Sequence, residues 1–280
     1  MKINLRVLWG EIGGDGKVLY WIDDMDGNKI VFNDFVGKHI TVRDTGKRLC
    51  RVCGKETESI YDKGSCLTCF KTSPRCDICM VKPELCHFSK GTCRDEVFAK
   101  NRCFNDQYVY FSITNDLKVG YMSKGNKPQR WVDQGATKAI IFANLPDRKM
   151  AGDLECRISE FEKDKTNWSR MLKGESVEID LKLVKRKWSE ILKDEKWSKF
   201  ITNDLQEMRL EFPVMRYPEK LSRIRLDKTP TFDGVLLGIR GQYLIFRDRV
   251  FGIRSHEGYV INLEVDKADY IDIAEQGSLF

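Results

Sequence analysis

Apolar and polar residues alternate along most of the first 48 residues. Three such runs cover residues 2–9, 17–23 and 29–43, and short clusters of glycine, aspartate and asparagine separate them. Because successive side chains of a strand point to opposite faces of a sheet, this alternation is typical of half-buried strands. We therefore expect residues 1–48 to form a small antiparallel β module or a partial barrel.

The segment 106–175 mixes strand and helix patterns. Residues 107–114 and 117–123 are rich in β-branched and aromatic side chains and flank a short turn, which predicts a hairpin. A short helix is expected over 129–136, followed by a buried apolar strand over 138–145. Further along, apolar positions recur at helical spacing: Met150, Leu154, Ile158 and Phe161. The predicted order of elements is β-β-α-β-α.

Residues 176–280 combine a helical pattern with a glycine-rich strand pattern. A long amphipathic helix with lysines on its polar face is expected to begin near Val177, and Pro213 and Pro218 end it. Its apolar positions are Leu183, Trp188, Ile191, Leu192, Trp197 and Phe200. Short strands with intervening glycines then predict a small C-terminal β-barrel. The fold class expected for the chain is α+β.

Nine of the ten cysteines lie between Cys50 and Cys103. The first four form two Cys-x-x-Cys pairs with twelve residues between the pairs: Cys50, Cys53, Cys66 and Cys69. Each pair can fold into a tight knuckle, and the intervening loop can bring both knuckles onto one tetrahedral ion. This spacing predicts a zinc-ribbon-like module over residues 49–105 that holds a structural Zn²⁺.

Six further residues of this module could ligate a second Zn²⁺: Cys76, Cys79, Cys86, His87, Cys93 and Cys103. One tetrahedral ion needs only four ligands, so we favour Cys76 and Cys79 and leave the other two open. An iron–sulfur cluster is an alternative, although the ferredoxin spacings are absent. Disulfides are disfavoured because the sequence has no recognisable export signal. Four thiolates leave no open position for a substrate, so both sites are expected to be structural.

The net charge of +6 is concentrated in the middle of the chain. Residues 50–105 carry 10 basic and 7 acidic side chains and residues 106–175 carry 12 and 10, which gives a joint excess of five. This excess favours weak binding of DNA or RNA, although a merely solvated surface has the same count. No apolar run reaches the ~20 residues of a membrane-spanning helix. We therefore expect a cytoplasmic protein with no membrane partner.

Several short strings occur together along the chain. They are CLTC, CDIC, PELCHFSKGTCR, YVYF, LKVG, RWVDQGA, KTNWSRML and LLGIRGQYLIF. In this combination the sequence closely resembles a family of cysteine-rich bacterial and archaeal proteins defined by a domain of unknown function. The resemblance covers most of residues 50–260, and it implies no particular biochemical role.

Residues 108–162 also resemble, more remotely, the core of GIY-YIG nucleases, which has the same β-β-α-β-α order. Tyr110 matches the tyrosine of the first motif half, and Arg130 and Glu155 match the catalytic arginine and the metal-binding glutamate. Lys118 stands where the second tyrosine is expected, and it could hold phosphate. The resemblance implies an endonuclease in which Tyr110 activates water, Arg130 steadies phosphate charge and Glu155 holds Mg²⁺ or Mn²⁺.

Four residues near this core are candidates for nucleic-acid contacts: Arg130, Trp131, Asn167 and Trp168. A tryptophan beside a basic groove can stack on a base, and an asparagine can hydrogen-bond it. The alternatives are that Tyr110 and Trp168 belong to the core and that Glu155 is an ordinary surface carboxylate. Three hypotheses follow: a zinc-containing nucleic-acid-binding protein, a divalent-metal-dependent endonuclease, and a zinc-stabilised protein-interaction scaffold.

Overall fold

The computed structural model describes residues 1–162 and 167–266. Within them the protein is a mixed α+β structure with several small sheets. The strands are β1 (Lys2–Asn4), β2 (Trp9–Ile12), β3 (Val18–Asp23), β4 (Lys29–Val31), β5 (His39–Arg48), β6 (Gln107–Ile113), β7 (Leu117–Ser123), β8 (Lys138–Leu145), β9 (Glu207–Arg209), β10 (Ser222–Ile224), β11 (Thr231–Val235), β12 (Gly238–Arg240), β13 (Tyr243–Ile245), β14 (Arg249–Gly252) and β15 (Tyr259–Val265). The helices are α1 (Leu67–Thr72), α2 (Glu96–Arg102), α3 (Gln129–Gln134), α4 (Arg148–Ser159), α5 (Trp168–Leu172) and α6 (Leu181–Ile191). None of these helices has the length and apolar character needed to cross a bilayer.

The two ends of the described chain share one antiparallel sheet with the strand order β1-β15-β5-β11. In it Val42 of β5 lies opposite both Phe232 of β11 and Leu263 of β15, and all three side chains enter one apolar core. Each of the three runs predicted in residues 1–48 contains strand, although residues 5–8 interrupt the first run and a 3-10 turn at Phe32–Phe35 interrupts the third. Only β2, β3 and β4 form a sheet of their own. Burial of a shared apolar face explains this pairing. The segment boundaries at 48, 105 and 175 remain predictions.

The central sheet confirms the predicted order of elements in residues 106–175. β6 and β7 form the expected hairpin, and β8 pairs antiparallel with the other edge of β6, which gives the order β7-β6-β8-β9. Leu154 of α4 and Phe111 of β6 lie in one core on one face of this sheet. Tyr110 and Trp131 lie in a second core on the opposite face. Phe161, expected on the helical stripe, follows the end of α4 and is exposed.

Helix α6 is shorter than the sequence pattern predicts. It ends at Ile191 rather than continuing past Phe200, and Leu183 of the expected apolar face is exposed. Lys185 is buried instead, contrary to the expectation that the lysines of this helix face solvent. Its ammonium group donates to three oxygen atoms at 2.6–2.8 Å: the Ile141 carbonyl, the Thr202 hydroxyl and the Asp204 carbonyl. A buried cation is tolerated here because its donors are satisfied.

The C-terminal strands form no closed barrel in the part of the chain that the structure describes, so that prediction is wrong. One four-stranded sheet has the order β10-β14-β13-β12, whereas β11 and β15 pair with β5 in the sheet described above. Arg240 of β12 is buried and joins this sheet to the central one. Its guanidinium donates to the carbonyl oxygens of Thr114, Gly135 and Met171. Residues 267–280 of the predicted C-terminal segment lie outside the described residues.

The cysteine segment between β5 and β6 consists mostly of short helices and turns. The ribbon expected around the first site is reduced to two isolated β-bridges, which join Leu49 to Glu56 and Tyr61 to Ser65. The segment docks on α4, where the 3-10 turn Pro83–Leu85 lies against Gly152. An ideal Cβ at Gly152 would lie 2.3 Å from Pro83 Cγ. A glycine at this helix position therefore permits the close approach of the two segments.

Candidate metal centres and an arginine-lined cavity

The first four cysteines converge as their spacing predicts. The sulfur atoms of Cys50, Cys53, Cys66 and Cys69 all lie within 4.8 Å of one another, and the Cys53 and Cys66 sulfurs are 4.0 Å apart. A tetrahedral Zn²⁺ with Zn–S bonds of about 2.3 Å requires sulfurs roughly 3.8 Å apart, so the arrangement fits such an ion. The geometry of this set accommodates one structural metal ion.

Backbone amides of the knuckles point at the Cys50 sulfur. The amide of Val52 lies 3.4 Å from it and the amide of Cys66 lies 3.2 Å from it. Burial by itself would raise the pKa of the Cys50 thiol, but these donors and that of Cys53 outweigh it and lower the pKa to about 6. Burial and the other three sulfurs raise the pKa of Cys69 to about 12. A cation among the sulfurs would relieve the repulsion between thiolates.

The first centre is anchored to the sheet that joins the chain ends. Arg51, in the first knuckle, forms a 2.6 Å ion pair with the buried carboxylate of Glu257. The amide of Leu49 donates to the Gly258 carbonyl at 2.7 Å. Gly258 has φ +90°, and a Cβ there would lie 2.9 Å from the Leu49 carbonyl oxygen. The centre therefore occupies a fixed position beside β15.

The remaining cysteines are arranged differently. Four of them line one small, partly open cavity of about 20 Å³: Cys79, Cys86, Cys93 and Cys103. Cys76, which the sequence favoured as a ligand, is buried but does not line this cavity. Burial, followed by the nearby Asp77 and Cys86, raises the pKa of Cys79 to about 12. Of the two ligands favoured from the sequence, Cys76 and Cys79, only Cys79 therefore lines the cavity.

His87 also lies at this cavity, where Asp77, Cys79 and His87 have ligand atoms within 4.8 Å of one another. Both ring nitrogens of His87 already contact protein oxygens, with Nδ1 2.8 Å from the Thr92 hydroxyl and Nε2 3.3 Å from Asp77. Asp77 also accepts an ion pair from Arg94 at 2.9 Å. Burial opposes ionisation of Asp77, but the Cys79 amide, His87 and Arg94 outweigh it and lower its pKa. These contacts indicate that Asp77 and His87 brace the loop.

A second cavity of about 180 Å³ lies where the cysteine segment meets the open edge of β7. Three arginines line it, namely Arg102, Arg130 and Arg148, and no acidic residue is among its lining residues. Arg102 is exposed, Arg130 is half-buried and Arg148 is buried. The guanidinium of Arg148 donates to the Met80 carbonyl at 2.6 Å and to the Tyr121 hydroxyl at 2.8 Å. The cavity is therefore positively charged and has a rigid wall.

Of the four candidate catalytic residues, Tyr110, Arg130 and Glu155 are close enough for Arg130 and Glu155 to influence the Tyr110 hydroxyl. Only Arg130 lines the arginine cavity. Tyr110 is fully buried, and its hydroxyl donates to Gln134 Oε1 at 2.7 Å. Burial and the charge of Glu155 raise the pKa of Tyr110 to about 12, although Arg130 acts in the opposite direction. Glu155, on α4, belongs to neither set of converging metal-ligand atoms found in the described residues. A tyrosine held in this way is neutral at physiological pH and has no access to water.

The other candidate residues lie outside the arginine cavity. Lys118 and Trp168 line a separate cavity of about 300 Å³, where Trp168 stacks on Tyr243 and the Arg223 guanidinium lies 3.8 Å from its ring centroid. Asn167 caps α5 through bonds from the amides of Ser169 and Arg170. Trp131 is only 1% exposed and packs edge-on against Tyr110. In this structure Trp131 is a core residue rather than a surface on which a base could stack.

Sequence reasoning missed Arg102, Arg148 and Tyr121. Arg148 is the first residue of α4, where an arginine usually points into solvent, and nothing in the local pattern distinguishes it. Its burial follows from the docking of a segment about 65 residues earlier in the chain. Only the charge excess of residues 50–175 signalled that a basic site lies in this region.

Comparisons with known proteins bear on the family alone. No curated protein matches the chain, and no solved structure matches it. The resemblance to GIY-YIG nucleases therefore stays a prediction that rests on the order of elements. A family model described as "Protein of unknown function (DUF2797)" matches residues 37–261, which include the cysteine segment, the central sheet and most of the C-terminal strands. As the co-occurring strings predicted, the chain belongs to this DUF2797 family.

Proposed function

We propose that this is a metal-stabilised nucleic-acid-binding protein whose arginine cavity receives a backbone phosphate. The observation that carries the proposal is the composition of the cavity wall, which contains Arg102, Arg130 and Arg148 and no carboxylate. Guanidinium groups present planar forks of donors that match the oxygens of a phosphate. A phosphate in this cavity would meet positive charge from three elements of the fold.

Neutral donors complete the wall. Gln107, Tyr121, Ser123 and Asn126 line the cavity together with the arginines. Amide and hydroxyl groups of this kind make up a large part of protein contacts to phosphate and sugar oxygens. Apolar contacts are limited to the methionines Met80 and Met122. This composition suits an anionic, strongly hydrated group better than an apolar ligand.

The cavity continues into a more open groove, which supports a polymeric ligand. An adjoining depression of about 600 Å³ shares Arg102, Ser123 and Asn126 with it and adds Lys124. Asp106 lies in this depression and pairs with Lys124 at 3.3 Å, so the groove is less basic than the cavity. One phosphate in the cavity and a neighbouring nucleotide in the groove is the arrangement that we propose.

The proposed metal centres would support nucleic-acid binding indirectly, by holding residues of the arginine cavity in place. Arg102 lies on α2 within the cysteine segment, and Met80 of the same segment accepts the hydrogen bond from Arg148. Thiolate ligation contributes on the order of 10 kcal/mol to the folding of small metal modules. We therefore expect metal to be needed for binding because it holds two of the cavity walls in place.

Cleavage is not part of this proposal. A general base must reach its proton through a hydrogen bond and have a pKa near the working pH. Tyr110 is buried and has a pKa of about 12, so in this structure it meets neither requirement. The binding experiment therefore also tests for endonuclease activity. That activity would depend on Mg²⁺ or Mn²⁺ and on three residues: Tyr110, Arg130 and Glu155. Lys118 lies in the separate cavity and could at most contact a ligand there.

The proposal is tested by measuring the affinity for labelled single-stranded RNA, single-stranded DNA and duplex DNA over a series of salt concentrations. We expect affinity to fall as salt rises, because phosphate binding releases counterions. Arg102→Ala and Arg130→Ala should each weaken binding without regard to sequence and reduce the salt slope by about 1. Arg6→Ala, an exposed arginine that does not line this cavity, is the control of equal charge.

Affinity that does not change with salt would overturn the proposal, and so would an equal loss of affinity in Arg6→Ala and the cavity variants. The same samples are incubated with Mg²⁺ and with Mn²⁺. Cleavage that Glu155→Gln abolishes would revive the endonuclease hypothesis, and intact substrate would support binding alone. Absence of any binding, with metal content normal, would favour the interaction scaffold.

A further inference from the structure

The second group of cysteines surrounds a cavity that the proposed function does not use. Cys79, Cys86, Cys93 and Cys103 come from four separate places in the cysteine segment and line one partly open cavity. Their spacing in the chain is irregular, so they form no pair of Cys-x-x-Cys knuckles among themselves. Four half-buried thiols with no disulfide among them are a typical thiolate ligand set.

The separation of these sulfurs differs from that of the first centre. In the described residues, two sets of three or more ligand atoms lie mutually within 4.8 Å: the four cysteines of the first centre, and Asp77, Cys79 and His87. Cys86, Cys93 and Cys103 belong to neither set, although they line the same cavity as Cys79. A single tetrahedral ion needs sulfurs about 3.8 Å apart. Thiolates spread more widely around one space fit a cluster in which different iron atoms take different cysteines.

The surroundings of the cavity also suit such a cluster. Phe88, Phe98, Phe104 and Ala99 line it, and the rings of Phe88 and Phe104 meet edge-on at 4.8 Å between centroids. An apolar shell of this kind limits solvent access to a metal centre. The Arg148 amide donates to the Cys103 carbonyl at 2.8 Å, which places this arginine next to the cavity wall. A buried arginine beside the thiolates would offset their negative charge.

The other potential ligands have protein partners. Both ring nitrogens of His87 contact Thr92 and Asp77, and Asp77 is paired with Arg94. Cys76 is buried outside the cavity wall. This leaves the four cysteines of the cavity as the ligand set.

We propose that Cys79, Cys86, Cys93 and Cys103 hold an iron–sulfur cluster, separate from the mononuclear site at Cys50, Cys53, Cys66 and Cys69. The cluster fixes the loop that carries Met80 and, through Arg148, the wall of the arginine cavity. The structural role does not require the cluster to change its oxidation state. The inference rests on the arrangement of the thiols and not on nucleic-acid binding.

The test uses the full-length protein purified without oxygen from cells supplied with iron. We expect iron and acid-labile sulfide in equal amounts, one zinc ion per chain, and a broad visible absorption that bleaches on reduction. Mössbauer spectra of the wild-type protein distinguish a cluster from a mononuclear iron–thiolate site without relying on any variant. Cys86→Ser and Cys93→Ser should lose the iron and sulfide and keep the zinc. Retained zinc shows in the same samples that the first module is folded.

Cys76→Ser, His87→Gln and Cys156→Ser are the matched controls, and each should keep the iron and sulfide. A second zinc with no sulfide in the wild-type protein would overturn the cluster. Loss of iron in Cys76→Ser or His87→Gln with retention in Cys93→Ser would overturn the ligand set. A protein that carries the cluster and fails to bind nucleic acid would contradict the proposed function but leave this inference intact.

Discussion

Arg148 donates a hydrogen bond from its guanidinium to the carbonyl oxygen of Met80, at 2.6 Å. Arg148 begins α4 on the central sheet, and Met80 lies between Cys79 and Cys86, which line the cysteine cavity. One side chain thus joins the scaffold of the central sheet to the loop that cysteines organise. Arg148 also donates to the Tyr121 hydroxyl. Its two hydrogen bonds together fix one wall of the arginine cavity. The thiolate region and the proposed phosphate site are therefore parts of one arrangement.

The close approach of the cysteine segment to α4 predicts the effect of Gly152→Ala. The new Cβ would lie 2.3 Å from Pro83 Cγ and 2.9 Å from the Glu84 amide nitrogen, so the docked turn must move. Alanine is favoured over glycine in a helix by about 1 kcal/mol, yet overpacking typically costs 1–3 kcal/mol. We expect a net loss of unfolding free energy of about 1 kcal/mol, measured by chemical denaturation. Gly125→Ala is the control because its Cβ would meet no atom within 4 Å. A Gly152→Ala protein at least as stable as the wild type would contradict the docking.

Loss of one first-centre ligand should unfold the region around it. Cys53→Ser and Cys66→Ser each remove one of four converging sulfurs, and a three-thiolate site binds zinc much more weakly. We expect these proteins to contain little zinc and to be cleaved by protease within residues 50–75. Elemental analysis and limited proteolysis measure the two effects. Cys156→Ser, at an exposed cysteine on α4, should retain normal zinc and protease resistance. Zinc-free wild-type protein from an anaerobic preparation would refute the site.

The buried ammonium group of Lys185 predicts a large effect of Lys185→Met. Methionine keeps much of the side-chain volume but leaves three oxygen atoms without their donor, where each hydrogen bond normally contributes about 1 kcal/mol. We expect a loss of about 2–3 kcal/mol in unfolding free energy. Lys182→Met, at an exposed lysine of the same helix, should change stability by less than about 0.5 kcal/mol. Equal stabilities of the two variants would show that the Lys185 contacts contribute little.

His256 predicts an acid-sensitive contribution to stability. Burial lowers its pKa below 6.5, opposed by the Gly252 carbonyl to which Nδ1 lies at 2.8 Å. Nε2 accepts from the Leu226 amide at 3.2 Å, an interaction that protonation would remove. The unfolded chain then binds a proton that the folded one does not, so stability falls as pH drops through 6.5, by at most about 1.4 kcal/mol per pH unit.

Comparison of wild type with His256→Gln isolates this contribution. We expect His256→Gln to be less stable at pH 8 and the difference to shrink as pH falls below 6.5, because only the wild type loses this contact. Denaturant midpoints measured across that pH range give the result. A constant difference between wild type and His256→Gln at all pH values would contradict the assignment.

The sequence predicts those features of the fold and of the first metal centre that depend on contacts between residues close together in the chain. The two Cys-x-x-Cys pairs predicted the first centre because a knuckle is made by residues three apart. The order of strands and helices in 106–175 followed from periodicity, because side-chain alternation in strands and helical spacing are properties of short segments. The family was recognisable because its strings lie at characteristic places along the chain.

Other features depend on contacts between residues that are distant in the chain. The pairing of β1 and β5 with β15 is set by a shared core, and alternation cannot reveal which strand lies next to which. The helical pattern predicts a solvated Lys185, but in the fold the carbonyl oxygens of Ile141 and Asp204 accept hydrogen bonds from its buried ammonium group. Arg148 acquired its role only when the loop of Met80 docked against α4. Local patterns therefore predicted most of the secondary elements and the first thiolate set. The arginine cavity and the second thiolate set arise from the packing of distant segments, because the burial and charge of a site depend on the residues that surround it.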